Sequence, residues 1–307
     1  MDNPVNSVSA VPPPAQARRP RRPRKMIVGL LAGLGLGLGL DWEAGSLLTA
    51  PHQGRMERPS NLEYTVESVA FPSASGALVQ GWLIPAPDAR GTVILMHGVR
   101  ADRRTLLNRV PFLHAAGYAA LLFDFQAHGE TSGKQITFGY LESLDATAAV
   151  AFIRQKHPGE KIAVLGISMG GAAALLAQPP LAANALIVES VYPTLEQAVA
   201  DRLIVRFGPW GKYGAPLLTW QLKPRLGIGL EDLRPIRAAE RITTHKFFLA
   251  GSADRLTTLP ESQALYDAAA GPKQLWVVPG ARHEDLHEYA PVEYERQVLA
   301  FLAENLK

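Results

Sequence analysis

The sequence predicts an α/β fold, an open and mostly parallel sheet with an antiparallel hairpin at its entry and helices on both faces. Short continuous apolar runs, typical of strands buried on both faces, alternate with helix-like stretches along most of the chain. The first two predicted strands instead alternate apolar and polar residues, which is typical of an antiparallel hairpin. The 307 residues are 47% hydrophobic and 19% charged, which fits a globular chain with a substantial core.

The first 25 residues are rich in Pro, Ala, Ser and Arg, and the absence of an apolar period predicts a disordered tail. They hold six basic residues and one acid. The formal net charge of +3 therefore comes from this basic tail, and the rest of the chain is slightly acidic. We therefore expect no nucleic-acid partner, because such binding needs a basic face on the folded domain. The absence of cysteine excludes disulfides, thiolate metal sites and cysteine nucleophiles.

Residues 26–50 are predicted to be a signal sequence or an N-terminal membrane anchor. A basic block precedes the uncharged apolar run Met26–Leu40, as in a signal peptide, and Ala44, Gly45 and Ala50 are small enough for a cleavage region. The run is short for a membrane-spanning helix, which needs about twenty residues. We expect membrane association through residues 26–40 and an anchored or exported domain facing outward. A flexible glycine-rich arm on a cytoplasmic protein is the alternative.

The remainder of the chain, residues 60–307, is predicted to be one domain in which strands and helices alternate. Its hairpin strands are Glu63–Phe71 and Ala77–Ile84, and its buried apolar strands are Thr92–Met96, Ala119–Phe123, Ile162–Leu165, Ala185–Val188, Lys246–Leu249 and Gln274–Val278. Its predicted helices are Thr105–Ala116, Leu141–Lys156, Met169–Ala177, Leu259–Ala270 and Val292–Leu306.

Residues 191–240 interrupt this alternation with tryptophans, glycines, prolines and scattered basic residues. So long a segment without a strand usually carries its own helices or serves a function. We predict a lid over the carboxyl edge of the sheet. A surface excursion away from any site is the alternative.

The segment around Ser168 has the strongest chemical signal in the chain. A buried strand leads into Gly166-Ile-Ser-Met-Gly170 and then into an alanine-rich helix, which is the context of a nucleophile elbow. Side chains at Gly166 and Gly170 would collide across the tight turn. The Ser168 hydroxyl is expected to project above the sheet near the helix N-terminus, whose amides favour developing negative charge.

A serine nucleophile needs a base and a group that orients the base. Asp254 follows the strand Lys246–Leu249 after a turn of small residues, and His283 follows the strand Gln274–Val278 after a similar turn. Both side chains should emerge at the same sheet edge as Ser168. The weaker candidates are His287 for the base, which we expect to be solvated, and Glu261 and Asp285 for the acid.

The loop after Thr92–Met96 is the candidate second half of an oxyanion hole. The backbone amide of Met169 is the expected first donor, since it directly follows the nucleophile. Val99 is our choice for the second donor, with Arg100 close behind it. His97 and the small residue Gly98 are expected to support this loop, with no proton transfer by His97.

Taken together, these motifs resemble the alpha/beta-hydrolase superfamily, in particular its esterase, lipase and serine-aminopeptidase-like branch. The motifs are His97-Gly98, Phe123-Asp124 through Ser132, Gly166–Gly170, Gly251–Asp254 and Gly280–His283. The resemblance covers about residues 63–306. It implies an eight-stranded sheet, a catalytic triad of Ser168, Asp254 and His283, no metal and no cofactor.

Three functions follow as candidates. The leading one is a carboxylesterase or lipase-like serine hydrolase that cleaves an ester, thioester or amide through an acyl-enzyme. Its substrate is expected to be a small or lipid-like acyl compound, because the predicted lid contains Trp210, Trp220, Leu217 and Leu218. A serine peptidase of the aminopeptidase type is the alternative within the class. A non-catalytic binding protein on the same fold is the third.

Overall fold

The computed structural model describes residues 23–57 and 64–307, with the backbone alone for residues 23–34 and 36. The chain divides into two units, residues 1–41 and 42–307. The predicted disordered tail, residues 1–25, lies outside the described residues except for its last three, which begin the first helix.

A central sheet organises the larger unit. In chain order the strands are β1 His52–Gln53, β2 Glu67–Pro72, β3 Leu78–Ile84, β4 Thr92–Met96, β5 Ala119–Phe123, β6 His128–Gly129, β7 Ile162–Ile167, β8 Ala185–Glu189, β9 His245–Gly251 and β10 Lys273–Val278. Eight of them form one sheet in the order β10-β9-β8-β7-β4-β5-β3-β2. β3 runs antiparallel to β2 and to β5, and the other pairs are parallel. The predicted fold class is therefore confirmed.

Helices connect the strands and cover both faces of the sheet. The α-helices are α1 Pro23–Thr49, α2 Val110–Ala115, α3 Tyr140–Lys156, α4 Met169–Leu176, α5 Leu195–Phe207, α6 Ala215–Thr219, α7 Leu222–Leu226, α8 Pro235–Ala239, α9 Leu259–Ala268, α10 Leu286–Tyr289 and α11 Pro291–Asn305. Short 3₁₀ helices span Arg103–Arg109, Pro209–Gly214 and Leu230–Leu233.

The core has two layers because successive strand residues point to opposite faces of the sheet. In β4, Ile94 and Met96 belong to one buried apolar cluster, whereas Val93 and Leu95 belong to the other. Burial on both faces is the reason why these strands are continuous apolar runs in the sequence.

The helix predicted over Thr105–Ala116 is instead a 3₁₀ helix followed by the short helix α2. Pro111 lies in the first turn of α2 and has no N–H to continue a regular helix through this point. The sequence prediction of one regular helix was therefore wrong at this position.

Helix α1 continues to Thr49, and its last eight residues belong to the larger unit. Arg225 of α7 donates hydrogen bonds to the carbonyl of Trp42 (2.6 Å) and to the hydroxyl of Ser46 (2.8 Å). The Ile136 amide donates to the carbonyl of Thr49 at 2.8 Å. Residues 42–49, predicted to belong to the N-terminal segment, thus pack against the rest of the larger unit. In the described part of the chain, no helix is both long and apolar enough to cross a bilayer.

Candidate active site

Three side chains with complementary chemistry follow three strands of the parallel part of the sheet. Ser168 directly follows β7, Asp254 follows β9 and His283 follows β10. Because β7, β8, β9 and β10 are neighbours and parallel, their carboxyl ends lie at one edge of the sheet. That edge is where open α/β sheets bind ligands.

Ser168 lies on the tight turn that the sequence predicts. Its backbone has φ 50° and ψ −113°, an unusual conformation for a residue with a side chain, which costs about 1–3 kcal/mol. The Ser168 amide donates to the carbonyl of Glu189 at 2.8 Å, and the Ser168 carbonyl accepts from Ala172. The turn is therefore fixed to β8 on one side and to α4 on the other.

The glycines on either side of Ser168 are required by close backbone contacts. A Cβ atom at Gly166 would lie 2.5 Å from the nitrogen of Gly171. A Cβ atom at Gly170 would lie 2.4 Å from the carbonyl oxygen of Met96 and 2.7 Å from that of His97. Gly170 thus lets the loop after β4 approach the elbow.

Asp254 and His283 are hydrogen bonded to each other. His283 Nδ1 lies 2.8 Å from Oδ2 of Asp254, whose side chain is fully buried. Since an ionised carboxylate only accepts hydrogen bonds, Nδ1 carries the proton and Nε2 is left as an acceptor. Asp254 also accepts from the amides of Leu256 (2.7 Å) and Thr257 (3.0 Å) and from the Thr257 hydroxyl (2.7 Å).

These contacts determine the charge of Asp254. Burial alone would raise its pKa, but the hydrogen bond and charge of His283, together with the Thr257 donors, lower the pKa below the ordinary aspartate value. Asp254 therefore remains an acceptor that fixes the tautomer of His283.

The loops that bear Asp254 and His283 are joined to each other. The Ala253 amide donates to the carbonyl of Ala281 at 2.9 Å, and the Gly280 amide donates to the Ser252 hydroxyl at 2.7 Å. A Cβ atom at Gly251 would lie 2.4 Å from the Ala281 carbonyl oxygen. Only glycine at this position lets the two loops approach so closely.

The loop after β4 is fixed by two buried histidines. His97 donates from Nδ1 to the carbonyl of Gly98 (2.7 Å) and accepts from the Phe125 amide at Nε2 (3.2 Å). The Arg100 amide donates to Nε2 of His128 at 3.2 Å. Arg100 is therefore already engaged, which leaves Val99 as the candidate donor from this loop.

Both histidines remain neutral in this environment. Burial, with a smaller effect of His128, lowers the pKa of His97 to about 3. Burial likewise lowers the pKa of His128. His97 has the geometry of loop support that the sequence suggests. The role of His128 was missed, because no local pattern shows that its ring faces an amide 28 residues earlier.

A buried ionic cluster beneath this edge was also missed. Arg109 and Glu189 are fully buried, with Nη2 of Arg109 3.6 Å from Oε2 of Glu189. Arg109 also pairs with Asp285, and the Tyr294 hydroxyl donates to Glu189 at 2.9 Å. Burial alone would lower the pKa of Arg109, yet Tyr294, Glu189 and Asp285 raise it above its ordinary value. The cluster connects the end of β8 to the chain just after His283.

The weaker sequence candidates have other partners. Glu261 accepts from the amide and hydroxyl of Thr258 at the start of α9. Asp285 accepts from the amides of His287 and Glu288 in α10. His287 is buried against Phe112 and hydrogen bonded to Glu295 at 2.9 Å. The expectation that His287 is solvated was wrong, because its ring packs in the core.

A cavity of about 370 Å³ opens beside Ser168. The elbow and the loop after β4 contribute Ser168, Met169 and Val99, and helix α5 contributes a wall that is mostly apolar. Leu48 of α1 and Leu218 of α6 also line it. The described lining residues include the arginines Arg100, Arg202 and Arg206 and no acidic residue.

Comparison with known proteins agrees with this geometry. Residues 87–213 match the family model described as serine aminopeptidase, S33. The uncharacterized protein YqkD of Bacillus subtilis is 26% identical over 247 residues, which cover 77% of this chain and 80% of YqkD. The protein YfhR of Escherichia coli K12 is 24% identical over 230 residues, 72% of this chain and 75% of YfhR. The esterase Pf2001 of Pyrococcus furiosus superposes with a TM-score of 0.67 at 25% identity and covers 82% of this chain and 97% of the esterase. The chain belongs to the alpha/beta-hydrolase superfamily.

Proposed function

We propose that this hydrolase is a serine esterase that cleaves carboxylic esters of apolar acyl groups through an acyl-enzyme. The observation that carries the proposal is the hydrogen-bonded pair Asp254–His283 at the same sheet edge as Ser168 on its strained turn. Nucleophile, base and orienting acid are the three parts that this chemistry needs.

Each step has a group in the chain. His283 Nε2 takes the proton of the Ser168 hydroxyl as the oxygen attacks the ester carbonyl. The amides of Met169 and Val99 hold the oxyanion, helped by the N-terminus of α4. His283 then protonates the leaving alcohol, and a water molecule activated by the same imidazole releases the acid from Ser168.

The lining of the cavity favours an apolar acyl group over an amino-terminal peptide residue. A volume of about 370 Å³ lies within the range of ligand pockets. An aminopeptidase must hold the ammonium group of its substrate, which calls for acidic residues near the scissile bond. The described lining has three arginines and no acid, so it would repel that ammonium group.

The test is covalent labelling with a fluorophosphonate probe, followed by turnover of p-nitrophenyl esters of increasing chain length. We expect labelling of the full-length protein, none in Ser168→Ala, and turnover that rises with chain length until the cavity is filled. Ser190→Ala is the matched control, since Ser190 is a buried serine with positive φ at the end of the neighbouring strand β8. Equal labelling of Ser168→Ala and the full-length protein would remove the proposal.

We also propose that residues 26–40 associate with a membrane, which the uncharged apolar run after six basic residues supports. Cell fractionation of the full chain and of a form lacking residues 1–41 tests this. The full chain should be found with membranes and the shortened form should not. Recovery of both in the soluble fraction would contradict it.

A further inference from the structure

The end of α5 and the 3₁₀ helix after it form an exposed edge of residues 191–240, which we call the insertion. The 3₁₀ helix Pro209–Gly214 packs with its backbone directly on α5, because a Cβ atom at Gly211 would lie 2.2 Å from the carbonyl oxygen of Leu203. Gly214 also faces Leu203, since a Cβ atom there would be in ordinary contact with Leu203 Cδ1 at 3.4 Å. With these glycines turned inward, the adjacent side chains of Trp210 and Tyr213 point to solvent.

Four large apolar side chains are exposed on this edge, and we call them the aromatic rim. Their exposed fractions are 67% for Phe207, 79% for Trp210, 65% for Tyr213 and 52% for Leu217. The Trp210 and Tyr213 rings lie 6.0 Å apart, centroid to centroid. Large exposed apolar side chains grouped in one short segment mark an interaction site.

The rim borders the candidate active site. Phe207 belongs both to the rim and to the lining of the cavity that contains Ser168. Leu218, which follows the rim residue Leu217, also lines that cavity. Whatever contacts the rim therefore lies at the mouth of the cavity.

The charged side chains of the segment that bears the rim have one sign. Residues 202–230 contain five basic residues and no acidic residue. Lys212 lies within the rim, with its Nζ 5.3 Å from the centroid of the Tyr213 ring. Arg206, which precedes the rim residue Phe207, adds a positive charge to the cavity lining.

We propose that the aromatic rim docks on the surface of an anionic phospholipid bilayer. Trp and Tyr are enriched at membrane–water interfaces, and basic residues beside them are attracted to anionic headgroups. A second copy of the chain fits poorly, because a twofold contact would place these cations against each other. The chain's own tail, residues 1–25, carries the same sign of charge. Docking would bring the cavity mouth to lipid-borne acyl esters, and only this use of the rim rests on the proposed esterase activity.

The test uses a site-specific probe on the full chain. The protein has no cysteine, so Tyr213→Cys provides a single site for an environment-sensitive fluorophore. Val292→Cys is the control, since Val292 is 82% exposed on α11. With vesicles of phosphatidylcholine and phosphatidylglycerol we expect the probe at 213 to shift to shorter wavelength and the probe at 292 to remain unchanged. Vesicles of phosphatidylcholine alone should give a much smaller shift.

Several outcomes would overturn the docking surface. Binding of the protein to vesicles with no shift at position 213 would assign membrane attachment to another segment. Equal shifts at 213 and 292 would show unspecific adsorption. A shift at 213 that depends on protein concentration without vesicles would show a contact between copies of the chain.

Two further variants give a quantitative readout. Lys212→Gln should weaken binding to anionic vesicles about fivefold, the effect of one cation near such a surface. Trp210→Ser should lower turnover of a long-chain ester embedded in vesicles while leaving turnover of a water-soluble short-chain ester unchanged. Equal loss with both esters would contradict the docking role. Absence of turnover in every form would instead count against the esterase proposal. The probe experiment would still show whether the aromatic rim docks on anionic vesicles.

Discussion

At the scale of single residues, the loop that faces Ser168 depends on a backbone amide held by a side chain. His128 accepts the Arg100 amide, and Arg100 itself has φ 56°, a left-handed conformation that a non-glycine residue adopts at a cost. The hydrogen bond therefore stabilises a turn that would otherwise relax. Val99, one residue earlier, takes its orientation from this turn.

We predict that His128→Leu lowers kcat about 10- to 100-fold and changes KM little. The substitution leaves the Arg100 amide without its acceptor, which costs about 1–3 kcal/mol when the group is buried. The loop would move, and its amide would stabilise the transition state less well while the acyl cavity keeps its shape. His114→Leu, at a partly exposed histidine of α2, is the control. A rise in KM at constant kcat would argue against positioning of the oxyanion donor.

The sequence predicts residues of this site that follow strands and misses those whose partners are distant. Ser168, Asp254 and His283 each follow a largely apolar run that forms a strand, so their common edge could be inferred from strand order alone. The contacts of His128 and Arg109 join segments far apart in the chain and leave no periodic or local signal. A buried charge is recognisable only once the fold shows what surrounds it.

At the scale of elements, helix α5 of the insertion meets helix α9 through two carboxyl groups. Asp201 of α5 is hydrogen bonded to Glu261 of α9. Burial, followed by the hydrogen bond and negative charge of Glu261, raises the pKa of Asp201 to about 7. Arg202 opposes this effect, and Asp254 adds to it. Asp201 therefore keeps a proton well above the ordinary aspartate range, and this proton can be donated to Glu261.

This pair predicts a pH-dependent contact between α5 and α9. The folded pKa of Asp201 lies above the ordinary aspartate value, so from about pH 4 to 7 the folded chain keeps a proton that the unfolded chain has lost. Its contribution to stability is therefore complete below this window and is lost as the pH rises through it. We predict that Asp201→Asn, which keeps a donor for Glu261, raises the melting temperature relative to wild type at pH 8 more than at pH 5.

The control for this prediction lies on α9 itself. Asp267 is exposed and accepts a hydrogen bond from Gln263 within that helix. Asp267→Asn should give the same difference in melting temperature at both pH values. If Asp201→Asn also changed the melting temperature equally at pH 5 and pH 8, the Asp201–Glu261 pair would not titrate between these pH values.

Element boundaries followed the sequence well where local chemistry decides them and poorly where packing does. The strands β4 and β5 begin and end at the predicted residues, because a run buried on both faces ends where polar residues begin. The segment 103–115 breaks into two helices next to Pro111, a local signal that the prediction of one helix over Thr105–Ala116 did not use. The last turns of α1 carry no such signal, since their partners in α7 lie about 180 residues later.

At the scale of the whole molecule, a buried ionic cluster connects distant parts of the larger unit. Glu189 at the end of β8 pairs with Arg109 and accepts hydrogen bonds from Tyr294 of α11 and the amide of Leu286 of α10. Removing one partner of a buried ion pair leaves the other charge uncompensated. We predict that Glu189→Gln lowers the free energy of unfolding by about 3 kcal/mol, measured by denaturant titration.

A surface pair provides the comparison for Glu189. Glu293 bonds Arg296 on the solvent side of α11, and Glu293→Gln should leave the denaturant midpoint unchanged within error. Equal effects of the two substitutions would mean that the buried cluster contributes no more to stability than an exposed salt bridge.

The larger unit, residues 42–307, includes the end of α1, and this division leads to a prediction about two truncations. A chain that begins at Trp42 keeps the bonds of Arg225 to Trp42 and Ser46, the acceptor for Ile136, and Leu48 in the cavity wall. A chain that begins at Pro51 loses all of them. We expect the first form to match the full chain in melting temperature and in turnover of a soluble ester. The second form should melt lower and show a higher KM for long acyl chains, because Leu48 is missing from the cavity wall. Identical behaviour of the two forms would show that residues 42–50 contribute nothing to the cavity. Cleavage at Ala44, Gly45 or Ala50 would then be compatible with an intact enzyme.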